Sequence, residues 1–111
     1  MPTELVLLCD VEPASVVVAA AGEWLGAGGS LVEHQDGQVL QWVDTQGRAV
    51  LSLFAARRIE VRADADRAVV GGTGDHRWWV EMTVPYGDAA DGLALARAVA
   101  EAAGGRVVLR A

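Results

Sequence analysis

Asp75 and His76 are the residues best suited, by type and spacing, to acid–base chemistry. They follow the glycine-rich stretch Gly71–Gly74. A carboxylate can orient an imidazole so that the ring works as a general base. Neighbouring residues of a strand point in opposite directions, however, and the sequence indicates no nucleophile nearby. We therefore interpret the pair as part of a solvated loop, and keep as the alternative a ligand pocket that Tyr86 would complete.

Thiol and metal chemistry have weaker support. Cys9 is the only cysteine, and it falls on the same strand face as Leu5 and Leu7, which predicts packing as a small apolar side chain. One cysteine and two histidines, at positions 9, 34 and 76, lack the close spacing of zinc ligands. Asp64 and Asp66 come without the other ligands of a calcium loop. We predict no metal site and no cofactor.

The tryptophans indicate a binding surface. The chain has four tryptophans but one phenylalanine and one tyrosine, and tryptophan and arginine are favoured as interface anchors. Trp79 points away from Trp78 in the predicted strand. The candidate interaction surface comprises this strand face and the side chains expected beside it: Trp79, Trp42, Arg58, Arg62, Arg77 and Glu81. The alternative is that a loop or neighbouring strands cover Trp79, and both interpretations stay open.

The last third of the chain is predicted to form the unit that positions these residues, in the order strand, helix, strand. Arg77–Val84 alternates in polarity as a strand does. Asp88–Ala103 has helical spacing, and its core-facing seam contains Gly92 and other small residues, so this helix can lie close to a sheet. Arg106–Arg110 is a short apolar strand that closes the chain.

The preceding residues predict one strand, one helix and a meander. The first strand, Glu4–Val11, is apolar on both faces and is expected at the centre of the sheet. A helix begins at Pro13, because proline is favoured in the first helical turn. The meander has four or five strands: Leu31–Gln35, Gln38–Val43, Arg48–Phe54, Arg58–Arg62 and a short run Arg67–Val70. A turn at 64–66 precedes the short run, and a mobile loop at 71–75 follows it. Whether the short run joins the main sheet is left open.

This order predicts a single α+β domain over residues 1–111. With β-α at the start, α-β at the end and the meander between them, both helices are expected on one face of a mostly antiparallel sheet. The prediction is therefore a ferredoxin-like two-layer sandwich with an enlarged meander. Such a fold leaves the other sheet face uncovered.

Composition narrows the classes of partner. The net charge of −6 and the pI of about 4.7 oppose binding to nucleic acid or anionic membranes. A protein that binds either of these negatively charged partners without sequence specificity needs a positively charged surface. No apolar run approaches the roughly 20 residues of a membrane span. No signal peptide is indicated, and a lone cysteine cannot form an internal disulfide, so we predict a cytoplasmic protein. All nine basic residues are arginine, a composition typical of high-GC bacteria.

These observations predict a small, non-catalytic protein-interaction or self-associating module that uses the open sheet face. Its partner would be another protein or a second copy in a homodimer. The alternative is a small enzyme or small-molecule-binding protein with a pocket near Asp75 and His76.

Overall fold

A computed structural model describes residues 3–12, 28–36, 38–85 and 90–110. These residues form seven strands and two helices: β1 Thr3–Cys9, β2 Ser30–His34, β3 Val39–Val43, β4 Ala49–Phe54, β5 Arg57–Arg58, α1 Arg62–Ala68, β6 Trp78–Val84, α2 Ala90–Ala102 and β7 Arg106–Leu109. The helix predicted to begin at Pro13 lies outside the described residues, and so does Tyr86.

All strands belong to one antiparallel sheet. Its order is β2-β3-β4-β6-β1-β7, and β5 pairs with β6 beyond the end of β4. β1 lies between β6 and β7, and every side chain from Leu5 to Cys9 is buried. The first strand is an interior strand, as its two apolar faces predict, but it lies one strand from the edge of the sheet and not at its centre.

One side of the sheet, here called the α2 face, carries the larger core. Leu5, Leu7 and Cys9 of β1 pack there against α2, which contributes Leu95 and Val99. Gly92 brings this helix close to the sheet, because a Cβ at position 92 would lie 2.6 Å from the carbonyl oxygen of Val50. The predicted seam of small residues is confirmed at this glycine.

The opposite side, here called the α1 face, has a smaller core. Val6, Leu8 and Trp79 are buried beneath α1, whose Ala65 and Ala68 pack against them. α1 covers the part of this face that β6, β1 and β7 form. Away from the helix, apolar side chains of the same face are exposed: Val32 to 37% and Phe54 to 42%.

The predicted ferredoxin-like two-layer sandwich is wrong. The described residues form a strand-rich fold dominated by the seven-stranded antiparallel sheet, and they include a helix that the sequence did not predict, α1, on the face opposite α2. Part of the error lies in residues 58–70, where the pattern predicts a strand at Arg58–Arg62, a turn at 64–66 and a short run at Arg67–Val70. The chain forms β5 at Arg57–Arg58 and then α1 at Arg62–Ala68 instead. Polar–apolar alternation over five residues is a weak signal. The alanines at 63, 65 and 68 favour a helix, and two of them fit against the sheet.

A β-bulge separates β4 from β5. Leu53 pairs with Met82 and Arg57 pairs with Trp79, so the three residues 54–56 lie opposite the two residues 80–81. One extra residue reverses which side chains point to which face. Arg57 therefore shares the face of Trp79. Arg58 belongs with Trp78, and its guanidinium carbon lies 5.8 Å from the centre of that ring.

The short run Arg67–Val70 reaches the sheet through its last two residues. Val69 forms an isolated antiparallel bridge with Arg110. The Val70 N–H donates to the carbonyl oxygen of Leu109 at 2.9 Å. The question left open by the sequence is thereby answered, because the segment after α1 pairs with the outer side of the last strand.

Candidate functional site

The tryptophans of the predicted interaction surface lie inside the protein. Trp79 is only 7% exposed, because α1 covers it. Trp42 is fully buried on the α2 face beside Leu51, so it cannot join a surface around Trp79. The expectation that the sheet face is open is therefore wrong at Trp79, and the alternative, coverage by a neighbouring segment, holds there. An interaction role for these two residues stays a prediction without an accessible side chain to support it.

Among the arginines predicted for the interaction surface, Arg62 has a structural role, because its side chain holds the loop that precedes β6. It begins α1, and its Nη1 donates to Thr73 Oγ1 at 3.1 Å and to the carbonyl oxygen of Gly74 at 3.0 Å. The same nitrogen also donates to the carbonyl oxygen of His76. Arg77 is exposed at the start of β6. Arg62 and Arg58 consequently do not flank Trp79 as expected, since one holds a loop and the other covers Trp78.

The glycine-rich loop at residues 71–75 forms hydrogen bonds with side chains of three other residues, Arg62, Asp66 and Arg106. Thr73 is fully buried, and its N–H donates to Asp66 Oδ1 at 2.8 Å while its hydroxyl donates to the same oxygen. These hydrogen bonds from Thr73 lower the pKa of Asp66 below its usual 3.8. Arg106 also donates to the carbonyl oxygen of Gly72 at 3.0 Å. The sequence predicts a mobile loop, and these bonds connect it to α1 and to Arg106.

His76 pairs with a residue that the sequence did not indicate. Its Nδ1 lies 3.2 Å from Oδ1 of Asp10, which follows β1 and is 66 positions away in the chain. Asp75, the predicted partner, is exposed. The juxtaposition arises because β1 and β6 are paired, which no local spacing could reveal.

Cys9 has the properties of a core thiol. It is fully buried, and burial, aided by Asp10 and Glu12, raises its pKa from 9.0 to about 11. The thiol donates to the carbonyl oxygen of Val11 at 3.4 Å. A thiol with so high a pKa holds almost no nucleophilic thiolate at neutral pH. Within the described ranges, no three side chains of the metal-binding types come together.

A groove of about 750 Å³ opens between α1 and the sheet, here called the α1 groove. Its walls are the segment that links β5 to α1, the side of that helix that carries Asp64, Ala65 and Ala68, and the first half of β6. Its lining includes Arg57, Ile59, Ala65, Trp79, Glu81 and Arg110. Ligand sites in proteins typically have this size and mix apolar walls with a few polar groups.

Two arginines converge on one carboxylate at this groove. Nη2 of Arg57 lies 3.5 Å from Oε1 of Glu81, and Nη1 of Arg110 contacts the same oxygen. The side chain of Arg57 is 67% exposed, so the pair adds little to stability. Arg57, Arg110 and Glu81 together carry a charge of +1, but Arg58, Glu60 and Asp64 also line the groove, so its charged lining sums to zero. The sequence predicted Glu81 as a site residue but neither of these two arginines, because the bulge and the β1–β7 pairing place them.

Trp79 also has an unsatisfied polar group in the core beneath α1. Its indole nitrogen is buried and has no hydrogen-bond acceptor within the described residues. A buried donor without a partner costs about 1–3 kcal/mol. An acceptor that approached this N–H would therefore recover part of that free energy.

A second accessible region, here called the β2–β4 surface, lies on the α1 face beyond the helix. Its side chains come from one side of three neighbouring strands: Val32, His34, Val39, Gln41, Ser52 and Phe54. His34 Nε2 and Gln41 Oε1 lie 3.4 Å apart, and Gln41 Nε2 donates to Ser52 Oγ at 3.2 Å. An ordered polar row thus crosses the three strands between the exposed apolar side chains.

No protein-family model, curated protein or solved structure matches this chain. Over the part of the chain that the structure describes, neither helix is long and apolar enough to cross a membrane. The geometry of the two surfaces is therefore the basis for assigning a function.

Proposed function

We propose that the protein is a small, non-catalytic, cytoplasmic interaction module that binds a basic partner protein through the β2–β4 surface. The observation that carries the proposal is the exposure of Phe54, at 42%, and Val32, at 37%, on one sheet face. Large apolar side chains that share an exposed face are typical of a contact surface. The cytoplasmic location is supported by the lone, buried Cys9.

Charge favours a basic partner over a second copy of the chain. Each copy carries a net charge of −6, so two copies repel each other at long range. Glu4 is exposed on the α1 face and lines a small cavity together with Phe54. Opposite charge on a partner would speed association and fix its orientation.

The alternative of an enzyme or small-molecule pocket near Asp75 and His76 has no specific observation in its favour. His76 is already hydrogen-bonded to Asp10. Neither the α1 groove nor a small cavity beside Phe54 is lined by Asp75 or His76.

The proposal is tested by photo-crosslinking in the cells that make the protein. A photoreactive phenylalanine analogue at position 54 should form an adduct with one defined protein of net positive charge. The same analogue at position 97, which is exposed on α2 and therefore on the other side of the sheet, is the matched control. Equal adducts at both positions, or none at position 54, would overturn the proposal.

Affinity measurements then test the surface and its charge. With the purified partner, Phe54→Ala should weaken binding by about tenfold or more, as expected for an aromatic contact residue, whereas Arg97→Ala should leave the affinity unchanged. Binding should also weaken as salt increases. An adduct with a second copy of the chain would support the β2–β4 surface as a contact site but contradict the proposal that the partner is a basic protein.

A further inference from the structure

We propose that the basic partner binds as an extended strand that pairs with the outer edge of β2, so that the sheet gains an eighth strand. The inference rests on the proposed function, because the occupant is the same basic protein, and it adds how that protein is held. Three observations carry it: the accessible edge of β2, the position of the chain's negative charge, and the alternation of side chains along this strand.

β2 forms the edge of the sheet at which the described residues supply no further strand. It pairs with β3 on one side, and four of its five residues are exposed. The edge at β7 differs, because Val69 bridges to Arg110 and the Val70 N–H donates to the carbonyl oxygen of Leu109. In an antiparallel edge strand, alternate residues direct their N–H and C=O groups outward, where an added strand can bond to them.

The excess negative charge lies in the half of the chain that contains β2. Residues 1–56 have seven acidic residues and one arginine, so they carry the whole net charge of −6, whereas residues 57–111 have eight of each. That one arginine, Arg48, is paired with Asp44 at 3.3 Å. Glu33 of β2 and Asp36 of the turn after it are exposed, and no described cation pairs with either. The charge at this edge therefore favours a basic strand.

The side chains of β2 also specify the pattern of the added strand. Successive side chains of a strand point to opposite faces. Val32 lies on the α1 face beside the apolar residues of the β2–β4 surface, whereas Glu33 lies on the α2 face, opposite Leu40 of β3. The added strand should accordingly direct apolar side chains to the α1 face and basic ones to the α2 face. A second copy of β2 would instead bring another Glu33 and Asp36 to the same edge.

Binding of a synthetic peptide tests the edge directly. The probe is a seven-residue peptide of alternating lysine and valine, blocked at both ends. The matched control has the same sequence, but the backbone nitrogens of its three central residues are methylated. Methylation keeps the charge and the side chains and removes the N–H donors that pair one strand with another.

The readout is hydrogen exchange of the β2 amides, measured by nuclear magnetic resonance. At a peptide concentration about tenfold above the Kd, exchange at alternate residues of β2 should slow by about tenfold, because only the unbound protein exchanges freely. Exchange at β7 should stay unchanged. The methylated peptide should leave exchange at both strands unchanged.

Two charge variants check the role of Glu33. Glu33→Lys and Glu101→Lys change the net charge equally at exposed positions, the first on β2 and the second on α2. Glu33→Lys should weaken binding of the unmethylated peptide by about fivefold or more, because an attractive cross-strand pair becomes a repulsive one. Glu101→Lys should change the affinity by less than about twofold, since salt screens its distant charge. Circular dichroism of both variants checks that the fold is retained.

Three results would overturn the proposal. They are equal binding of the two peptides, equal affinities of Glu33→Lys and Glu101→Lys, and slowed β2 exchange in the protein alone as its concentration rises, which would mean that a second copy occupies the edge. If a basic protein nevertheless forms an adduct at position 54, the proposed function stands and the partner contacts the sheet face alone. Absence of that adduct would overturn the proposed function even where the β2 edge binds the peptide.

Discussion

At the scale of single residues, Trp79 supports the fold more directly than it supports a contact with another molecule. It is buried between β6 and α1 together with Val6 and Leu8. Trp79→Ala should therefore lower the free energy of unfolding by about 3–5 kcal/mol, measured by urea denaturation. Arg77→Ala, at an exposed neighbouring position, should change it by less than about 0.5 kcal/mol. Equal small effects of the two changes would mean that α1 does not cover Trp79.

Asp66 links the stability of the protein to pH through the loop that Thr73 anchors. The folded state lowers the pKa of Asp66 below 3.8, chiefly through hydrogen bonds from Thr73. A lowered pKa gives stability that is fully present above the unfolded pKa and is lost as pH falls through the folded pKa. Asp66→Asn should therefore destabilise the protein at neutral pH and make little difference in strong acid.

Urea unfolding midpoints of the two proteins, measured from pH 7 downward, test this expectation. Asp75→Asn is the matched control, because Asp75 is an exposed carboxylate of the same loop. Curves for Asp66→Asn and the unchanged protein that stay parallel at every pH would contradict the link.

At the scale of elements, the sequence predicted most strands well and one region badly. All strands except β5 agree with their predicted bounds within two residues, because alternation and flanking turn residues mark them clearly. Residues 58–68 failed because their pattern fits both a short strand and a helix. The bulge at 54–56 was not predictable, since it depends on how β6 pairs with two successive strands.

The residues of the candidate site were also only partly predictable, because several of them come together through strand pairing. Glu81 and Trp79 line the α1 groove and were predicted as site residues. Arg57 was missed because the bulge exchanges it with Arg58 between the two faces. Arg110 was missed because it reaches Glu81 only through the pairing of β7 with β1 and of β1 with β6. Both arginines require the sheet order, which local sequence patterns do not contain.

Gly92 decides how closely α2 approaches the sheet. Helix propensity alone predicts that Gly92→Ala would stabilise the protein by about 1 kcal/mol. A Cβ would, however, lie 2.6 Å from the Val50 carbonyl oxygen and 2.7 Å from Cγ1 of Val84. We therefore expect a destabilisation of about 1–3 kcal/mol, measured by thermal and urea unfolding.

Ala94 gives the comparison for this helix. Ala94 is exposed on α2, so Ala94→Gly should cost only the propensity difference of about 1 kcal/mol. A stabilising Gly92→Ala would mean that the helix can move away from the sheet without loss.

At the scale of the whole molecule, charge should keep the protein monomeric. With a net charge of −6 at neutral pH, two copies repel each other, and we expect light scattering in low-salt buffer to give the monomer mass of 11.6 kDa. Near the pI of about 4.7 the repulsion disappears, and association should increase. A stable dimer at neutral pH would show that the apolar contacts between copies outweigh the charge.

β1 is synthesised well before the two strands that flank it in the sheet. Both of its neighbours in the sheet, β6 and β7, lie in the last third of the chain. A ribosome adds about 5–20 residues per second, so the apolar side chains from Leu5 to Cys9 wait for some seconds without a partner. During that time β2, β3 and β4 can pair with one another. The nascent first strand is therefore a segment that a chaperone would hold until β6 and β7 have been synthesised.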